Sequence, residues 1–390
     1  MLRSDGAPFS PPAPPPFSPP APPPFSPPFS LPFSPPAPRS ALSRALGVVL
    51  CLTALAGASC GQSSISVLPG VVNNPSNLTL RREILSYGQR QLCTEMQKRS
   101  VPLKLRDEDP ATGRFYPTSC IAQELANGHL MIQFGGHGYA WTNITKRIGF
   151  DASAAVEYEQ DFLLHEGTMY VYFRPASTTA AKFTTRLVEQ PTPAAVGPVA
   201  LPQGTAYADA LGAQLMKSEL ARGFTVLREE DGAVQFGLGV VEKGARPPEP
   251  YARQDNGKLR LINERTEVHQ NQRDYIGPLH VTGNGEALTL TLSVDGAPAI
   301  DALIVTRGVG DQWLQAYTTQ PVATPPVSTA LVDEAVTGGM IWRKTVALPK
   351  GFYYLVLDNT SVAGRTQPSG VPHDDRAAMV SVAVELGDAP

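Results

Sequence analysis

Three places in the chain carry side chains able to do chemistry. Gly135-Gly136-His137-Gly138 has the glycine content of a loop that cradles phosphate. Such a loop needs a helix directly after it, with its N-terminus facing the anion. Here Tyr139-Ala140-Trp141 continues as strand, so the cluster reads as a bulge or turn that lets backbones approach closely. His165-Glu166 and His373-Asp374-Asp375 are residue types that ligate metals or transfer protons. Both fall in expected turns, where solvated polar residues belong. No HExxH occurs. A hydrolytic site would therefore have to gather loop residues distant in sequence, such as His165, His373 and Asp374. The sequence predicts no catalytic residue, no cofactor and no metal site, with an envelope hydrolase as the alternative.

The elements that must position these residues begin only after a long N-terminal address. Residues 1–38 repeat PFSPPAPP, a polyproline tract that cannot bury a core. It reads either as a stiff spacer or as untranslated sequence ahead of a start at Leu42. Residues 39–60 then supply Arg39 and Arg44, an apolar run over 45–56 too short to span a bilayer, and Gly57-Ala58-Ser59-Cys60. This segment resembles the signal of bacterial lipoproteins, whose last residue is a cysteine that is diacylated (palmitate among the acyl chains) and becomes the new N-terminus. Ala58 and Ser59 fit that pattern, whereas Gly57 stands where leucine is usual, which keeps ordinary signal-peptidase cleavage open. The resemblance implies lipid attachment at Cys60, a tether over 61–75, and a protein exported to the cell envelope and held at a membrane.

Four cysteines are present. If Cys51 leaves with the signal and Cys60 carries lipid, Cys93 and Cys120 remain, an even number for an oxidising compartment. They read as a disulfide or as two buried thiols. No CxxC or paired-histidine spacing accompanies them, which disfavours zinc.

Charged residues make up 17% of the chain and the formal net charge is -3. There is no basic run for a phosphate backbone, so nucleic acid is not an expected partner. The hydrophobic fraction of 42% suits globular cores. Helical spacing over 79–99, strands at 101–105, 129–134, 139–145, 155–158, 168–173 and 182–189, a second helix over 206–221 and a hairpin at 224–228 and 234–241 predict an α+β domain over 76–245. Arg246-Pro247-Pro248-Glu249-Pro250 opens a stiff linker over 246–258. Beyond it every element reads as strand, at 259–269, 275–281, 287–294, 300–307, 313–318, 341–348, 352–358 and 378–386, with long loops at 320–339 and 360–376. The expected fold is β-rich with two lobes, an α+β lobe followed by an antiparallel β-sandwich over 259–388 that folds alone.

The segment LPKGFYYLVLDNTSVAGRTQ and the strand MVSVAVEL resemble the closing hairpin of pre-peptidase C-terminal and GOLD-like β-sandwich modules. That resemblance implies an interaction module and transfers no catalytic residue. The chain as a whole resembles lipoproteins of myxobacterial type, a likeness that brings no activity with it. Trp313, Trp342 and Tyr353 are the candidate binding surface, because Tyr353 must oppose Phe352 and Tyr354 across one strand and one of those faces turns outward unless another layer covers it. The expected role is lipid-anchored binding or assembly, with an envelope protein or glycan as partner.

Overall fold

A computed structural model of the protein describes residue 70 and residues 73–390, apart from 105, 107, 191–203, 229–233, 245–252, 256–257, 322–329, 367 and 369–376. The proline tract, Cys60, the linker prolines and His373, Asp374 and Asp375 lie outside the described residues. None of the described helices is long and apolar enough to cross a membrane.

The N-terminal lobe is a seven-stranded antiparallel meander in sequence order, β1 (Val101–Leu103), β2 (Gly113–Glu124), β3 (Leu130–Thr142), β4 (Lys146–His165), β5 (Thr168–Val188), β6 (Phe224–Arg228) and β7 (Val234–Leu238). Helices α1 (Leu78–Gln97) and α2 (Gly204–Ala221) pack on one face of it. The period of two explains why: Phe150, Ala152, Ala154, Val156 and Tyr158 of β4 share that face and meet Leu92 and Met96 of α1 and Met216 and Leu220 of α2. Cys93 on α1 and Cys120 on β2 form a disulfide, Cα atoms 5.3 Å apart, which bonds the helix covalently to the sheet.

The second lobe is the β-sandwich. One sheet runs in the order β10 (Arg273–Val281), β15 (Gly351–Asp358), β12 (Ala299–Thr306), β13 (Val332–Thr337). The other runs β14 (Ile341–Ala347), β11 (Glu286–Asp295), β16 (Ala377–Asp388), β9 (Lys258–His269), β8 (Arg253–Asp255). Their inner faces share one core that includes Leu288, Leu290, Leu292 and Val294 of β11 and Val380, Val382 and Val384 of β16.

Three expectations need correction. The segment expected as a strand at 313–318 is a helix, α3 (Arg307–Thr319). Its buried residues Gly310, Trp313, Leu314, Tyr317 and Thr318 fall at i, i+3, i+4, i+7 and i+8, one stripe of a helix, and that stripe outweighs the strand preference of the aromatics. The loop expected over 320–339 contains β13, which adds to the sheet edge beside β12. The glycine cluster is no turn but the middle of β3. There the close backbone approach is real: a Cβ on Gly136 would lie 2.1 Å from the Tyr116 carbonyl oxygen, and one on Gly138 2.2 Å from that of Arg114. The bulge itself lies in the partner strand, between Pro117 and Ser119 of β2.

Replacing Cys93 and Cys120 together by serine is expected to lower unfolding free energy by about 3 kcal/mol, because the unfolded chain regains the freedom of the closed loop. Urea denaturation of oxidised and variant protein measures it; equal midpoints would remove the disulfide from the stability of this lobe.

Candidate functional site

Polar chemistry concentrates where the open face of the N-terminal sheet meets the sandwich. Arg114 and Tyr116 of β2 and Tyr139 and Trp141 of β3 lie on the face opposite Phe115, which packs under the helices. Arg114 is 1% exposed and grips both oxygens of Asp274 on β10, Nε to Oδ1 at 2.6 Å and Nη2 to Oδ2 at 2.9 Å. Its Nη2 also pairs with Glu264 on β9. Tyr139 donates its hydroxyl proton to Asp274 Oδ1 at 2.5 Å and accepts from the Tyr275 backbone N–H at 2.8 Å. Tyr116 donates to the Tyr275 carbonyl.

A second buried pair stands beside the first. Arg273 binds Asp358 on β15 and donates to Thr360 Oγ1 at 3.1 Å. Tyr317 of α3 accepts from the Arg273 backbone N–H at 3.0 Å and donates to Gln272 at 2.6 Å. Arg147, at the start of β4, lies over the Tyr317 ring at 4.1 Å and donates to the carbonyls of Gln320 and Pro321. At the rim Trp141 stacks on His269 of β9, ring centroids 3.3 Å apart.

Burial and charge act together on these groups. Burial alone would lower the Arg114 pKa, but Asp274 and Glu264 outweigh it and hold the guanidinium well above its ordinary value. Burial, with Asp274 beside it, pushes the Tyr139 phenol well up. Burial raises the Asp358 carboxyl against the opposing pull of Arg273. Tyr317, buried in the same layer, is pushed up to about 12. Each phenol here is therefore a neutral hydrogen-bond donor at any ordinary pH.

The backbones also meet. Ala111 forms a parallel bridge with Thr266 of β9, its N–H donating to Arg265 O and its carbonyl accepting from the Glu267 N–H, both at 2.8 Å. Gly149 of β4 abuts α3 so closely that a Cβ would lie 1.9 Å from the Thr318 carbonyl oxygen. The cavity left at this joint, walled by Trp141, Arg147, His269, Gln272, Arg273 and Tyr317, has a volume of ≈ 10 Å³. That is room for about one water molecule, far below the several hundred Å³ of a ligand pocket. The arrangement joins two lobes through paired charges.

The candidates read from sequence fall elsewhere. Tyr353 is 4% exposed and belongs to the sandwich core, its hydroxyl donating to Pro349 O, so the outward face expected there does not exist. Tyr354 takes the other side of β15 beneath α3 and donates to Asp311 at 2.9 Å. Both faces of the strand are covered. Trp313, also 4% exposed, is buried on α3 in the layer between the lobes. Trp342 on β14 is half-buried against the core edge, and of the three it alone keeps part of its ring accessible. His165 ends β4 at the hairpin to β5, its Nε2 3.6 Å from Glu166. His137, stacked on Tyr116, has its pKa lowered by burial and then by Arg186. Among the described residues no group of histidine, cysteine, aspartate or glutamate could hold a metal ion.

No protein-family model matches the chain. No curated protein matches it either. Solved structures that align with it include the infectious bursal disease virus Gx strain, 11% identical over 73% of this chain and 74% of that one with a TM-score of 0.21. Another is the Bombyx mori GH32 β-fructofuranosidase BmSUC1, 8% identical over 80% of this chain and 98% of that one with a TM-score of 0.13. At such scores neither likeness carries an argument.

Removing Arg114 would leave Asp274 and Glu264 buried with no cation. Arg114→Met is therefore expected to destabilise the protein by about 3–5 kcal/mol, and Arg114→Met with Asp274→Leu and Glu264→Leu to recover most of that. Guanidinium melts followed by tyrosine and tryptophan fluorescence read both changes. A single variant as stable as the parent would show that the pair does not hold the lobes. For the same reason an isolated 259–388 segment, which keeps the sandwich core and α3 but bares Tyr275, Tyr317 and the carboxylates of Glu264 and Asp274, is expected to unfold cooperatively at lower denaturant than the full chain.

Proposed function

We propose that the protein is an exported lipoprotein of a bacterial cell envelope, held to the membrane by a lipid on Cys60, whose two-lobed body serves binding or assembly rather than catalysis. The observation that carries this reading is the Cys93–Cys120 disulfide. Stable disulfides belong to oxidising compartments, and the two other cysteines, Cys51 and Cys60, both fall in the segment that resembles a lipoprotein signal. The joint supports the second half of the reading. Arg114 spends its guanidinium on Asp274 and Glu264 across the lobes, and Arg273 spends its own on Asp358 within the sandwich beside it, which suits a rigid scaffold whose surfaces meet a partner. An envelope protein or glycan is the partner class, and the net charge of -3 argues against nucleic acid.

In an expressing bacterium, Cys60→Ala is expected to abolish incorporation of a fatty-acid probe and to release the protein from membranes. Labelling that persists in this variant would sink the lipid anchor. Alanine at His165, His373 and Asp374 is expected to leave the envelope role intact in folded protein, and loss of that role would shift the reading to a hydrolase.

A further inference from the structure

We propose that strand β14 is a docking edge that takes an acidic, extended segment of a partner protein as an added strand. This rests on the binding reading above.

Among the described residues the three sheets have six edges, and four are blunted. β1 and β8 are three residues long. β7 meets α1. β10 carries Pro278 and a bulge between Ile276 and Leu279, and its Gly277 carbonyl already accepts from the Ser100 N–H of the other lobe at 3.2 Å. β13 is also regular, six residues without proline, but its Asp333 and Glu334 make that edge acidic, the wrong sign for an acidic strand. Short strands, proline, bulges and a covering helix are usual ways to stop an edge from pairing.

β14 has none of these, although it carries two charges, Arg343 and Lys344. It is seven residues of IWRKTVA without proline, and its register with β11 runs unbroken from Ala287–Ala347 to Ser293–Ile341. Being last in its sheet, it offers the outer half of its backbone N–H and C=O groups to a new strand. Ile341 is 78% exposed and the adjoining Met340 62%. On the other side Trp342 and Val346 are half-buried at the open rim of the sandwich core, ready to be covered.

Charge selects the occupant. Arg343 is exposed and has no ion-pair partner among the described residues, while its neighbour Lys344 is occupied by Glu334. Two β14 strands paired antiparallel about their centre would set Lys344 against Lys344 with both Arg343 guanidiniums alongside, and like charges placed opposite destabilise a ladder. A second copy is therefore disfavoured. A strand with carboxylates on the face of Arg343 and apolar residues on the face of Trp342 and Val346 satisfies both sides.

The probe is a synthetic peptide as long as β14 that alternates valine and glutamate, with a valine–lysine peptide as its charge-inverted control, titrated against the full chain. The expected result is saturable binding of the acidic peptide alone, with slowed amide hydrogen exchange confined to residues 341–347. Arg343→Glu should weaken it by about tenfold or more and transfer preference to the basic peptide, and Arg343→Gln should fall between. Absence of binding, protection elsewhere in the chain, indifference to Arg343→Glu in a variant with unchanged thermal unfolding, or self-association through β14 without peptide would each overturn the proposal. Cys60 labelling is independent of all four outcomes, so a failure here leaves the lipid anchor standing, and loss of the anchor leaves the peptide result standing.

Discussion

A guanidinium withdrawn almost entirely from water loses several kcal/mol of hydration, and only close carboxylates with hydrogen bonds to spare make that tolerable. Arg114 meets this demand with two residues of the other lobe, Asp274 and Glu264, and with a tyrosine that shares Asp274. Its position fixes much else. Tyr139 must stay protonated to donate, Tyr275 must offer its backbone N–H to Tyr139, and β2 must lie close enough to β3 that Gly136 and Gly138 have no room for side chains. A misplacement of one lobe by an ångström would strand a buried charge, so the interaction sets orientation more than it sets stability.

The layer around this pair is largely aromatic, and the choice of tyrosine over phenylalanine has a physical basis. Tyr116, Tyr139, Tyr317 and Tyr354 each bury a ring and still place a hydroxyl on a named acceptor. A ring of that kind fills space between sheets while satisfying polar groups that the joint would otherwise leave bare. Helix α3 completes the layer by covering the outer face of β15 and β12, the face left open by the sandwich core on the opposite side.

Much of the fold was legible because local pattern and final burial agree. The alternation in residues 378–386 is the alternation between core and surface in β16, and the Cys93–Cys120 disulfide is one of the two states that the cysteine count left open. The helix α3 was also within reach, since Gly310, Trp313, Leu314 and Tyr317 are spaced for it; two aromatics and a short length favoured the strand instead. The joint was not legible. Arg114, Glu264 and Asp274 are ordinary surface residue types separated by at least 150 positions between the lobes, and no local signal distinguishes a charge that will be buried from one that will be solvated. The same blindness misassigned Tyr353 and Trp313, whose faces are decided by a layer contributed from elsewhere in the chain.

The covalent bond between α1 and β2 has a mechanical meaning. A pull applied to the chain ahead of α1 can unwind that helix only as far as Cys93, where the load passes through sulfur into Cys120. From there it enters β2, which is laddered to β3 along nearly its whole length, and β3 is laddered to β4 in turn. Tension that would otherwise peel one helix from the surface is distributed as shear across three hydrogen-bonded strands. The body behind the bond keeps its shape under strain at its N-terminal end.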